Sequence, residues 1–276
     1  MMNIFNAVFS AIFNMLFYPF NSLAPVWGML IISFVTGVVM LFIFKATSDQ
    51  KGIKQAKNFV KAHFLAIRLY RDDIGLMFNT MKNILVSNML YMKKSLRPML
   101  FLIVPVGVIL IQLGSRYEFR PFKVGETFIL TLRLHEAIEN VDLKDVGISL
   151  PVGLSLDMPP VKIARLREVN WRVKAEQPGS YDVVFKYQGS TVNKQLHVEG
   201  ALVPIAREIA RSNLSVALMN PAESSLPGSS FASIISVGYP KRDFEFFGWQ
   251  FHWLIAFFIF SLISAFAFKG FLGVEV

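Results

Sequence analysis

The sequence predicts a membrane protein of α+β class, with three transmembrane helices, a cytoplasmic coiled-coil hairpin and an extracytoplasmic immunoglobulin-like β-sandwich. Three observations predict this. The chain of 276 residues is 54% hydrophobic, holds 27 Phe and is 17% charged, which is too apolar for an ordinary soluble domain of that length. Long uncharged apolar runs recur in it. Between the second and third runs, short segments that alternate apolar and polar residues take their place.

Residues 1–22 read as an interfacial amphipathic helix: Asn3, Asn6, Ser10 and Asn14 follow helical spacing, while Phe5, Phe9, Phe13 and Phe17 occupy the other side. The same residues could instead extend the hydrophobic anchor that follows. No basic segment precedes this stretch, so a cleavable signal peptide is not expected. The first span is residues 23–44, "LAPVWGMLIISFVTGVVMLFIF", whose 22 residues reach roughly 33 Å, enough for a bilayer core.

Residues 45–97 read as a hairpin of two helices. Apolar positions at 53, 56, 60, 63/64, 67 and 70 mark the first, "RDDIG" at 71–75 marks a turn, and Met77, Met81, Leu85, Met89 and Met92 mark the second. The methionines have two readings. They form the hairpin's own seam, or, because Met is flexible and polarizable, Met77, Met81, Met89 and Met92 contact varied apolar clients. The second span is residues 98–114, "PMLFLIVPVGVILIQLG", at the short limit with 17 residues and interrupted by Pro105.

In residues 115–243, "ETFILTLRL" (126–134), "VNWRVKA" (169–175), "YDVVFKY" (181–187) and "TVNKQLHVE" (191–199) alternate as half-buried strands do. The pattern points Trp171, Tyr181, Val183 and Phe185 at the core. "VPIAREIARSNLSVAL" (203–218) predicts a helical insertion, 220–230 a loop and 231–239 a last strand. The third span is residues 246–268, with 23 residues. Trp27, Trp249 and Trp253 stand at run ends, where aromatic side chains anchor a helix in the membrane interface.

Charge sets the predicted orientation. Residues 45–97 carry 11 Lys and Arg against three Asp, which is +8 of the chain's formal +9. The positive-inside bias therefore places them in the cytoplasm, with the N-terminus and residues 115–243 outside and the C-terminus inside. For a bacterium this is the inner membrane. The basic hairpin could also meet anionic lipid or a ribosome. DNA is not an expected partner, because the charge lies in one loop with no recognition motif.

No chemistry-bearing constellation accompanies these elements. The chain has no Cys, and His63, His135, His197 and His252 lie too far apart for a helical metal pair. Walker, dinucleotide-binding and nucleophile-elbow patterns are absent. The reading is a non-enzymatic protein without cofactor or metal. Polar residues inside the spans are Ser33, Thr36, Gln112, Ser261 and Ser264, which either glue helices together or face a shared, partly hydrated groove.

The order of parts resembles the insertase superfamily of YidC, Alb and Oxa proteins, in its compact three-span branch of archaeal and eukaryotic relatives. The stretch "NIFNAVFSAIFNMLFYPFNSLAPVWGMLIISFVTGVVMLFIFKATSDQKGIKQAKNFVKAHFLAIRL" is similar to that family's interfacial helix, first span and hairpin entry, and the likeness covers residues 3–114 and, more loosely, 246–270. The resemblance implies a hydrophilic groove open to cytoplasm and lipid, and assistance in inserting or assembling membrane proteins. Two features set the chain apart: no charged residue precedes Lys45, where many bacterial members carry a groove arginine, and a β-domain is inserted between spans two and three. A non-catalytic subunit of a larger membrane complex, anchored through that domain, is the alternative.

Overall fold

The computed structural model describes residues 2–18, 25–69, 74–135, 143–200, 202–211, 213–246 and 249–275, with the backbone alone at 2–9, 64, 66–69, 74, 76–78, 144, 214, 245, 246 and 249. Most of the expected hairpin turn lies outside these residues. The chain divides into two compact units, one made of Met1–Gly28 with Ile109–Trp253, the other of Met29–Val108 with Leu254–Val276.

The helices are α1 (Met2–Phe17), α2 (Pro25–Thr47), α3 (Gln50–Leu69), α4 (Ile74–Tyr117), the short α5 (Leu214–Met219) and α6 (Trp253–Lys269). By length and composition α2 and the Asn79–Tyr117 stretch of α4 could each cross a membrane. The expected border between hairpin arm and second span leaves no mark on the backbone. α4 is one helix of 44 residues that runs through both Pro98 and Pro105. Each proline removes one backbone donor, and the rest of so long a helix holds its course around the gap.

Unit one is built on a β-sandwich. Its first sheet runs β3 (Leu154–Leu156), β5 (Glu168–Ala175), β1 (Thr127–Leu134), β9 (Ala232–Val237), β8 (Glu208–Ala210), and β4 (Val161–Ile163) also pairs with β5. The second runs β2 (Gly147–Ser149), β6 (Gly179–Tyr187), β7 (Ser190–Val198). All these pairings are antiparallel; Leu130 of central β1 lies opposite Trp171 on one side and Val237 on the other.

Alternation sends Leu130, Leu132, Val169, Trp171 and Val173 inward from the first sheet and Val183, Phe185, Leu196 and Val198 inward from the second. The Trp171 and Phe185 rings meet across the core at 5.5 Å, tilted by 60°. Tyr181 packs at the edge of this core, its hydroxyl donating to the Gln177 carbonyl at 3.0 Å.

Two expected elements differ. The segment 203–218 is not one helix: Glu208–Ala210 pairs with β9 as an edge strand, and only Leu214–Met219 turns helical, capped by the Asn213 side chain. Ile205, Ala206, Ile209 and Ala210 are all buried, so the segment satisfies its apolar side chains by closing the sheet rather than by forming an amphipathic helix. The third apolar run also begins differently. Phe244–Phe246 and Trp249–Phe251 pair as a hairpin, β10 and β11, and α6 starts only at Trp253 with 17 residues. The sequence around that hairpin alternates aromatic with Glu245 and Gln250, the period of a strand.

Unit two gathers most of α2, all of α3, most of α4 and nearly all of α6. Leu41, Phe44, Ile53 and Val274 form a buried cluster, with Tyr91, Leu102, Phe268 and Leu272 packed on it. The base of α3 is tied to α4 by Asp49, which accepts from Lys94 Nζ at 3.2 Å and from the Gly52 backbone N–H at 2.9 Å.

Candidate functional site

In unit two, α2, α4 and α6 enclose a crevice of about 240 Å³ lined by Thr36, Gly37, Leu102, Phe257, Ser261 and Lys269, among others. Gly37 lets the helices approach closely, since a Cβ there would overlap the Ser261 carbonyl oxygen. Ser264 Oγ crosses between helices and donates to the Phe34 carbonyl at 3.0 Å, whereas Ser261 Oγ turns back to the Phe258 carbonyl of its own helix at 3.1 Å. Thr36 is buried, and so is Ser33, whose hydroxyl has no hydrogen-bond partner among the described residues. The walls are almost wholly apolar. At one end Lys269 Nζ sits 4.8 Å from the Phe266 ring centre.

Thus Thr36 and Ser261 share the crevice, and Ser264 belongs to the packing of its helices. Gln112 takes no part in lining it. In unit one, Gln112 donates to Ser10 Oγ at 3.2 Å and accepts from Arg116 Nη1 at 3.3 Å.

Arg116 is a buried cation that the sequence reading did not single out. It is buried, donates to Asn14 Oδ1 and to the Gln112 carbonyl, and lies 4.9 Å over the Phe17 ring. The readable signal is a pair of matching spacings: Ser10 and Asn14 are four apart on α1, and Gln112 and Arg116 are four apart on α4. Asn14 of α1 thus accepts from the protein's own arginine, and Ser10 from its neighbour Gln112. Its outward side carries exposed Ile12, Met15 and Leu16, a surface suited to lipid rather than water.

On α4 the residues Met81, Leu85, Met89, Met92, Leu96, Met99 and Ile103 follow steps of three or four residues and are all exposed, Met81, Met89 and Met92 at 48%, 68% and 60%. The side chain of Met77 lies outside the described residues. Along α3, Ile53 and Ala56 are buried, while Phe59 and Leu65 are exposed.

Of the three tryptophans, Trp27 is exposed and Trp253 is buried in unit one beside Gly114, where a Cβ would stand 3.6 Å from the indole ring. The Trp249 side chain lies outside the described residues. In the sandwich, His197 Nδ1 is 2.9 Å from Ser180 Oγ, and burial holds its imidazole below the usual range. Among the described residues no group of three or more His, Asp or Glu stands close enough to hold a metal ion. Comparison with protein-family models and with curated proteins finds no match for this chain.

Proposed function

We propose that the protein is an insertase-like inner-membrane protein that assists the insertion or assembly of other membrane proteins, with residues 45–97 in the cytoplasm and the β-sandwich outside. The exposed methionine- and leucine-rich stripe of α4 carries this reading. It continues from Met81, in the strongly basic segment, to Ile103, in the apolar run, so a client could meet one apolar surface from cytoplasm into bilayer. Unbranched Met side chains adapt to partners of differing shape, as a surface for varied segments requires.

A second reading is supported by the crevice. Its apolar walls, closed around Gly37 and Ser264, resemble ordinary helix packing more than a hydrated passage. On that basis the protein is a structural subunit, and the stripe is the seat of one constant neighbour.

Photo-crosslinkers at positions 81, 89 and 92 in intact membranes separate the two. Insertase-like action yields heterogeneous adducts with newly made apolar segments, and exchanging Met77, Met81, Met89 and Met92 for Leu narrows their range. Crosslinks to a single stoichiometric neighbour, unchanged by the exchange, overturn the first reading in favour of the second.

A further inference from the structure

Residues 118–120, just past the end of α4, are stitched to residues 240–242, just before β10. Arg120 N–H donates to the Pro240 carbonyl and Arg242 N–H to the Glu118 carbonyl, each at 3.0 Å, with Phe119 and Lys241 bridged between them. This stitching places Arg242 beside the end of α4 and the start of α6. There a cavity of about 190 Å³ is lined by Glu118, Lys241, Arg242, Gln250, His252 and Trp253, with Asp243, Phe244 and Phe251 completing it. A single water needs only about 30 Å³.

Two side chains that line this cavity, Arg242 and Trp253, hold donors with no partner among the described residues. Arg242 Nε and Nη2 are buried and have no hydrogen-bond partner among the described residues. Neither Glu118 nor Asp243 forms an ion pair with Arg242. Trp253, 5% exposed, leaves its indole Nε1 without a hydrogen-bond partner among the described residues. The neighbouring Arg120 cannot supply a counter-charge, since it is itself cationic and is bound by Glu126 at 2.8 and 2.9 Å. Burial lowers the affinity of Arg242 for its proton, yet a guanidinium keeps its charge throughout the physiological range.

Buried donors left without acceptors are costly, and those of Arg242, which is half-buried, and of Trp253 belong to residues that line one cavity. We propose that Arg242 and the Trp253 indole N–H form a site for a phosphate oxyanion, supplied by the headgroup of an anionic phospholipid. The oxyanion accepts from Arg242 Nε and Nη2 in the side-on geometry that guanidinium offers to phosphate, and from the indole, while Lys241 adds charge at the rim. The lipid as source rests on the membrane reading above: the apolar run of α4 ends at Gly114 and α6 begins at Trp253, so the cavity lies at the depth where a bilayer carries its phosphates. The phosphate chemistry does not rest on it.

The test uses the full chain in a zwitterionic detergent and follows thermal unfolding with added short-chain phosphatidylglycerol or, separately, inorganic phosphate. Wild type should rise in melting temperature with phosphatidylglycerol. Arg242→Gln should lose that rise, binding at least about tenfold more weakly, and without added anion should unfold no lower than wild type, because it removes an uncompensated charge. Trp253→Phe keeps the ring and loses the donor, so it should weaken binding several-fold. Arg165→Gln, which lines a separate cavity of the same unit, makes the same charge change and should leave the response intact.

An Arg242-dependent rise with inorganic phosphate alone overturns the lipid as source. No Arg242-dependent rise with either anion, or an equal loss in Arg165→Gln, overturns the site. Failure of the membrane reading shows separately, as extraction of the protein from membranes by alkaline carbonate.

Discussion

Lys194, wholly buried on β7, is held by Glu223, whose carboxylate accepts from its ammonium while the Ala206 carbonyl accepts a second bond at 2.7 Å. Two elements distant in sequence are thereby pinned to the sandwich by one charge. Burial pushes the ammonium below the usual lysine range, and Glu223 opposes that push. Removing one partner exposes the cost of the other. Glu223→Ala should destabilise the domain by about 3–5 kcal/mol in chemical denaturation, whereas replacing both residues by apolar ones of similar volume should be near neutral or stabilising. A small effect of Glu223→Ala would mean that the Ala206 carbonyl alone satisfies the lysine.

Two carboxylates of unit one shape the acid limb of its stability. Glu126, held chiefly by the Arg120 guanidinium, and Glu168, held chiefly by the Asn170 amide and then by Arg133, both lie below the ordinary glutamate value of 4.5. A depressed folded-state pKa contributes stability that is complete above the unfolded value and disappears as pH falls through the folded one. Melting temperature should therefore hold down to about pH 5 and then decline. In Glu126→Gln and Glu168→Gln the decline should be shallower, with a lower plateau above it.

Gly37 governs how closely α2 and α6 approach. Its missing Cβ leaves room for the Ser261 carbonyl, a backbone atom that cannot swing aside. Gly37→Leu should separate the helices, break the Ser264 bond to the Phe34 carbonyl and lower stability by about 1–3 kcal/mol through overpacking. Gly107, where a Cβ meets nothing within 4 Å, is the control, and its change to Ala should be tolerated.

The proposed orientation is open to direct labelling, because the chain has no cysteine of its own. Asn79 and Gln188 are both exposed. Asn79→Cys should react only with a reagent that enters the cytoplasm, and Gln188→Cys with one that does not. Reaction of both from the outer side would overturn the orientation and the function built on it.

The strands β1, β5, β6 and β7 were legible because one face of each is buried, and burial on one face writes a period of two into the sequence; Trp171 is where that pattern says it should be. Strand β8 was not legible. Its three residues are too short for a period, and its role comes from β9, which follows it by more than twenty residues. The aromatic hairpin before α6 was hidden for another reason: its alternation lasts only three residues on each side and leads almost directly into the apolar helix. Of the candidate site, the methionine spacing was readable, but its exposure depends on whether α3 covers it, which no local pattern states. That Arg242 Nε and Nη2 find no partner among the described residues is a property of what surrounds them in space, and a sequence records only what stands beside them in the chain.

The position of β1 has a consequence in time. Its two neighbours are β5 and β9, and Leu130 waits for Val237 before its second edge is paired. At about 5–20 residues per second, a ribosome leaves that edge open for roughly 5 to 20 seconds after β1 is made. Through that interval the central strand of the domain offers unpaired backbone groups and the apolar faces of Leu130 and Leu132 to any other chain nearby, so the sandwich is a late and vulnerable product of synthesis.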